Sequence, residues 1–149
     1  SVLTGGSVSE IRRRARAAEA LADRALNLDP QSVRGLVVRG KVLFMLDEMH
    51  RAEEALLRAV ALAPGDWEAL SSLAVLLVRG RGDTLNGNKL FDRALRTAPA
   101  DHIRDAITAV RAEVMQAGED TIPDVLRDAE RVRWEDRWKD LDAARAPYT

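Results

Sequence analysis

Between Arg79 and Lys89 the chain reads "RGRGDTLNGNK", a stretch with three glycines, an Arg-Gly-Asp tripeptide and a lysine close behind the last glycine. Two chemistries could use such residues. A phosphate cradle needs backbone amides and a lysine converging at a strand-to-helix turn in the order G-x-x-x-x-G-K-[ST], whereas Gly82 and Gly87 are followed here by Asn88-Lys89-Leu90 after a helical stretch. Arg81-Gly82-Asp83 could display an adhesion tripeptide on an exposed turn, but no secretory context accompanies it. The plainer expectation is a helix-to-helix turn in which glycine supplies positive φ and Asp83 caps the following helix.

Catalytic groups are sparse. Nucleophilic catalysis needs a Ser or Cys beside a base, and the chain has no cysteine and only two histidines, His50 and His102, in separate helix-start regions. Carboxylates are abundant, as in Glu53-Glu54 and Glu135-Asp136, but they sit among arginines at spacings such as Glu135 to Lys139 that form ordinary pairs on solvated helix faces. The run Arg12-Arg13-Arg14 with Arg16 could contact phosphates, although Glu10, Glu19 and Asp23 interrupt it. A non-enzyme without cofactor or metal is therefore expected. With a formal net charge of -1, no general field draws the molecule to nucleic acid. No apolar run approaches the ~20 residues that span a bilayer.

Positioning elements emerge from an internal repeat. "ALNLDPQS" from Ala25, "AVALAPGD" from Ala59 and "ALRTAPAD" from Ala94 align, with Pro30, Pro64 and Pro99 keeping intervals of 34 and then 35 residues. Leu36, Gly40 and Leu43 share one helical face, as do Ala52, Leu56 and Ala59 on the next helix. Each unit thus reads as two antiparallel helices, with Gly40 or Ala52 where their backbones approach. The intervals from Leu36 to Leu70 and from Leu43 to Leu77 are 34, but those from Ala52 to Gly87 and from Ala59 to Ala94 are 35, so one residue is inserted between Leu77 and Gly87.

These residues resemble the tetratricopeptide repeat family, whose pattern is W-x2-L-G-x2-Y, then A-x3-F, then A and P. Residues 33–66 match through Leu36, Gly40, Leu43, Ala52, Leu56, Ala59 and Pro64, and residues 67–101 match through Leu70, Leu73, Ala74, Leu77, Phe91, Ala94 and Pro99. Arg39 and Gly87 depart from it, standing where an apolar residue and an alanine are usual. The resemblance implies an all-α, right-handed solenoid of antiparallel helix pairs, with about seven helices in all. Residues 1–8 are expected to be a flexible N-terminus, 9–32 a half repeat, 33–66 and 67–101 full repeats, and 102–149 C-terminal capping helices. "SVSE" offers a capping box to the first helix and Asp101 a cap to a helix striped by Ile103, Ala106, Ile107, Val110 and Val114 that stops at Gly118. Thr121 and Asp124 open a last helix to about Ala144, with Pro123 in its first turn.

In such a solenoid the first helices line a concave groove that holds a peptide or helix of a partner protein. The positions implied are Arg34, Val37, Val38, Lys41 and Met45, then Glu68, Ser71, Ser72, Val75 and Arg79, a mildly basic surface with an apolar floor, unless the valines are simply core. Where chaperone-binding members of the family carry a lysine and asparagine clamp, this chain has Val38, Glu68 and Ser72, so chaperone-tail binding is not implied. The last helix offers two apolar faces, one with Ile122, Val125, Leu126 and Ala129, the other with Trp134, Trp138 and Leu141. Either it folds back and buries both, or the tryptophans anchor a partner or a second copy of the chain.

The expected function is a non-catalytic scaffold or adaptor. The alternatives are a self-assembling structural protein, or the docking domain of a larger enzyme or assembly complex. "LLVRGRG" followed by "LFDRAL" also resembles the repeat domains of bacterial cytochrome c maturation factors. Only Lys41, Lys89 and Lys139 are lysines among 23 basic residues, a bias expected of a GC-rich genome. The chain opens without an initiator Met and is expected to be a processed form or a fragment, with a cytoplasmic or periplasmic location.

Overall fold

The structure, a computed structural model, describes residues 7–117 and 124–145. They form seven α-helices and no strand among the described residues. The chain divides into two compact units, Ser1–Leu62 and Ala63–Thr149.

The first unit holds α1 (Val8–Leu28), α2 (Val33–Met45) and α3 (Met49–Leu62). Ser7 opens α1 by accepting from the Glu10 amide at 3.1 Å, the first half of the expected capping box. The Glu10 carboxylate turns along the helix instead and accepts from Arg14 Nη2 at 2.8 Å. Pro30 follows α1 in the turn, and Ser32 caps α2 through the Gly35 amide at 3.0 Å. Leu36, Leu43, Ala52, Leu56 and Ala59 are all buried, and they form the seam of the α2–α3 pair. Gly40 is required there: a Cβ at that position would lie 2.4 Å from Leu56 Cγ.

The α2–α3 turn closes without glycine. Asp47 takes φ 62°, its amide donates to Phe44 O at 3.0 Å, and the Glu48 amide donates to Leu43 O at 2.9 Å. These two bonds make a Schellman motif with aspartate at the left-handed position where glycine is favoured. Around this turn Arg16 bonds Glu19 (2.9 Å) and Glu48 (3.2 Å), while Arg51 bonds the same two carboxylates at 3.2 and 3.1 Å. The closed ring ties α1 to the start of α3. The Glu19 hydrogen bond above all, helped by the Glu48 charge and opposed by desolvation, raises the Arg16 guanidinium above its ordinary value.

The second unit holds α4 (Trp67–Val75), α5 (Thr84–Thr97), α6 (Asp101–Ala117) and α7 (Asp124–Arg145). Asp66 caps α4 by accepting from the Glu68 and Ala69 amides at 2.9 and 3.1 Å. Beyond Val75 the helix widens into a π-helical turn, Leu76–Arg81, and ends at Gly82 with φ 70°. That turn houses the residue inserted between Leu77 and Gly87, because a single insertion into a helix is absorbed as a π-bulge without rotating what precedes it. Leu76, Leu77 and Val78 therefore stay buried, and Val78 reaches over Gly87, where a Cβ would meet its Cγ2 at 2.5 Å. The glycine in place of the usual alanine is thus dictated by the widened turn.

Several expectations need correction. Asp101 is the first residue of α6 rather than its cap, with the Ala100 carbonyl accepting from the Ile103 and Arg104 amides at 3.1 Å each. On α6 only Ile107 and Val114 of the expected stripe are buried; Ile103 is half-buried, and Ala106 and Val110 are exposed. Arg111 takes the place beside the seam, donating to Asn88 Oδ1 at 3.0 Å and Asp92 Oδ1 at 2.9 Å. The expected stop at Gly118 and the opening residues Thr121, Ile122 and Pro123 lie outside the described residues, as do the side chains of Val125 and Leu126 and residues 1–6 of the expected flexible N-terminus.

Candidate functional site

The residues of the Arg79–Lys89 stretch are structural. Asp83 is 3% exposed and caps α5 through the Asn86 amide at 3.0 Å, as its type and position predict. Gly82 is buried and Arg81 half-buried, so the tripeptide is not displayed as an exposed loop. Lys89 Nζ sits 5.9 Å over the Trp138 ring rather than in a cradle of amides. His50 and His102 are exposed on α3 and α6. No group of His, Asp or Glu among the described residues is arranged to hold a metal ion.

On the first unit, the outward face of α2 carries Arg34, Lys41 and Met45, all exposed, at intervals of seven and four that keep them on one side. Met45 is 63% exposed, unusual for a large apolar side chain in a helix whose other face is core. Val37 is not part of this surface, being 1% exposed within the core. Val38 is half-buried against Ala15, Val42 and Leu46, so it fastens α2 to α1 instead of forming a floor for a ligand.

The second unit has its own strip on α4 and the π turn. Glu68, Ser71, Ser72 and Val75 are half-buried and Arg79 is exposed. The Ser71 hydroxyl donates to the Glu68 carbonyl at 3.3 Å, leaving its side chain folded onto its own helix. Arg79 Nη2 contacts Glu113 Oε1 of α6 at 3.4 Å, with both side chains well exposed. Such a pair is loose enough for another carboxylate to compete.

The last helix folds back onto the second unit. Trp134 is 1% and Leu141 8% exposed, so of the two alternatives for this face, burial by fold-back or a partner anchor, these two residues take the first. Trp138 is half-buried, and its Nε1 donates to Asn86 Oδ1 at 3.1 Å. The same Asn86 donates through Nδ2 to Asp83 Oδ2 at 2.8 Å, which links the cap of α5 to α7. Arg93 lies with its guanidinium 4.8 Å over the Trp138 ring and bonds Asp142. Asn86, Arg93 and Asp142 were not visible as a set from sequence. Asn86 and Arg93 lie seven residues apart on the helical face that also carries Leu90, so two polar residues on an otherwise apolar α5 face were the available signal.

No family model matches this chain, and no curated protein matches it. No helix among the described residues is long and apolar enough to cross a membrane.

Proposed function

We propose that the protein is a non-catalytic interaction module of tetratricopeptide-like build, whose first helices hold a peptide or helix of a partner protein. The observation that carries this reading is the outward face of α2, where Met45 stands exposed in line with Lys41 and Arg34. A thioether adapts to irregular apolar surfaces, and flanking cations add attraction for acidic side chains. The α4 strip of the second unit is a separate contact surface, on which Arg79 exchanges Glu113 for a partner carboxylate.

The test is a pull-down from lysate of the source organism with identification by mass spectrometry, comparing wild type with Lys41→Glu, Met45→Ala and Arg79→Glu. A partner retained by wild type and lost by the folded Lys41→Glu and Met45→Ala variants supports recognition by α2. Loss with Arg79→Glu alone confines it to α4. A partner retained equally by all four proteins overturns the assignment to first-helix faces.

A further inference from the structure

The contact between α5 and α7 is built unlike the apolar seams of the helix pairs. On α5 it presents Asn86, Lys89 and Arg93, which share one helical face at intervals of three and four. On α7 it presents Trp138 and, four residues later, Asp142. The Arg93 guanidinium lies 4.8 Å over the Trp138 ring and bonds Asp142, Lys89 Nζ stands 5.9 Å over the same ring, and Asn86 accepts from the indole Nε1 at 3.1 Å. Two cations and an amide thus read one aromatic ring and one carboxylate.

Two observations mark α7 as an occupant of this face rather than a part of the pair beneath it. By the interval of 35, Asn86, Lys89 and Arg93 correspond to Arg51, Glu54 and Arg58 of α3, and all three stay exposed there. The α2–α3 pair thus needs no cover at these positions. The fit of α7 is also incomplete: Arg93 Nη1 and Trp134 Nε1 are buried with no hydrogen-bond partner among the described residues. Buried donors left unpaired cost free energy that a better-matched helix recovers. We propose that the Asn86, Lys89 and Arg93 face is a helix-docking site that α7 fills within the chain, and that a helix of a partner protein presenting an aromatic ring and a carboxylate four residues apart takes its place. While α7 is seated, the partner's apparent affinity is reduced in proportion to the fraction of molecules in which the face is open. This face lies on a second helix, so it is separate from the α2 and α4 strips and does not rest on them.

The experiment uses the whole chain and a labelled synthetic peptide of residues 124–145, the helix that fits this face. Asp142→Lys in the chain sets a cation against Arg93 and should unseat α7, which hydrogen–deuterium exchange of α7 follows. The Asp142 side chain is 63% exposed, so this variant stays folded elsewhere, with far-ultraviolet circular dichroism as the check. Fluorescence anisotropy is expected to show the peptide binding the Asp142→Lys chain about tenfold or more tightly than wild type, because the competing α7 is released. The same peptide with Trp138→Ala should not bind. The Arg93→Glu chain should reject the native peptide and bind one carrying Asp142→Lys, whereas the Arg93→Glu, Asp142→Lys chain, its pair restored with reversed charges, should bind both as poorly as wild type. Adding Lys41→Glu or Arg79→Glu to the Asp142→Lys chain should leave peptide binding unchanged, which separates this surface from the proposed first-helix sites. No binding to the Asp142→Lys chain, or binding that charge reversal at residue 93 leaves unchanged, overturns the inference. So does a concentration-dependent dimer of wild type in sedimentation that Arg93→Glu dissolves and the double variant restores, because the occupant is then α7 of a second copy.

Discussion

Asp47 and Gly82 occupy equivalent positions in the two helix pairs, 35 residues apart, and both have positive φ: 62° and 70°. Only glycine holds that conformation without a Cβ clash, which costs an L-residue about 1–2 kcal/mol and aspartate somewhat less. Asp47→Gly is therefore expected to stabilise the protein by about 0.5–1 kcal/mol, and Gly82→Ala to destabilise it by about 1–2 kcal/mol. Urea denaturation checks both, and a destabilised Asp47→Gly would show that the aspartate side chain contributes something its contacts do not reveal. Gly40 tests close approach instead of φ. With Leu56 Cγ 2.4 Å from the added methyl, Gly40→Ala should cost a net ~1–2 kcal/mol, since overpacking outweighs the gain in helix propensity. A neutral Gly40→Ala would mean that the α2–α3 seam yields more easily than its burial suggests.

At the scale of elements, Asp66 and Asp83 are both helix caps, yet their removal should differ. Asp66→Ala forfeits the bonds to the Glu68 and Ala69 amides, worth about 1 kcal/mol. Asp83→Ala also leaves the buried Asn86 amide unpaired, so about 2–4 kcal/mol is expected. Thermal melts of the two variants decide the point; equal losses would show that Asn86 finds another acceptor. The ring of Arg16, Glu19, Arg51 and Glu48 behaves differently with pH. Because the folded pKa of Arg16 is raised, its contribution is complete below the unfolded value and is lost only as pH rises through the strongly alkaline range. Arg16→Gln should consequently lower the melting temperature by the same amount at about pH 6 and about pH 9. Much of this level was legible in the sequence: the helix pairs followed from prolines at a fixed period, and the α5 cap from an aspartate before a polar turn. The Asp47 turn was not, because nothing in "MLDEMH" announces positive φ. The π turn was read in the sequence as an extra residue at the turn between the two helices, since a loop and a widened helix have the same length in sequence.

For the molecule as a whole, the division into Ser1–Leu62 and Ala63–Thr149 carries an energetic expectation. Gly40→Ala and Asp83→Ala lie in different units and share no side-chain partner. Their effects should add to within about 0.5 kcal/mol in the double variant, and a larger departure would reveal coupling between the units. At this scale the sequence conveyed less about the surfaces. Residues picked for a groove divide between exposed Arg34, Lys41 and Met45 and the buried Val37, because helical spacing identifies a face but not its depth.

The fold-back of α7 leaves Trp134 and Trp138 with ring centroids 5.1 Å apart and planes tilted by 39°. Two indoles so close and so inclined share their electronic excitation, and each carries an arginine above its face: Arg137 4.9 Å from Trp134, Arg93 4.8 Å from Trp138. The second unit therefore contains a built-in chromophore pair, whose exciton signal in circular dichroism reports the seating of the last helix without any label.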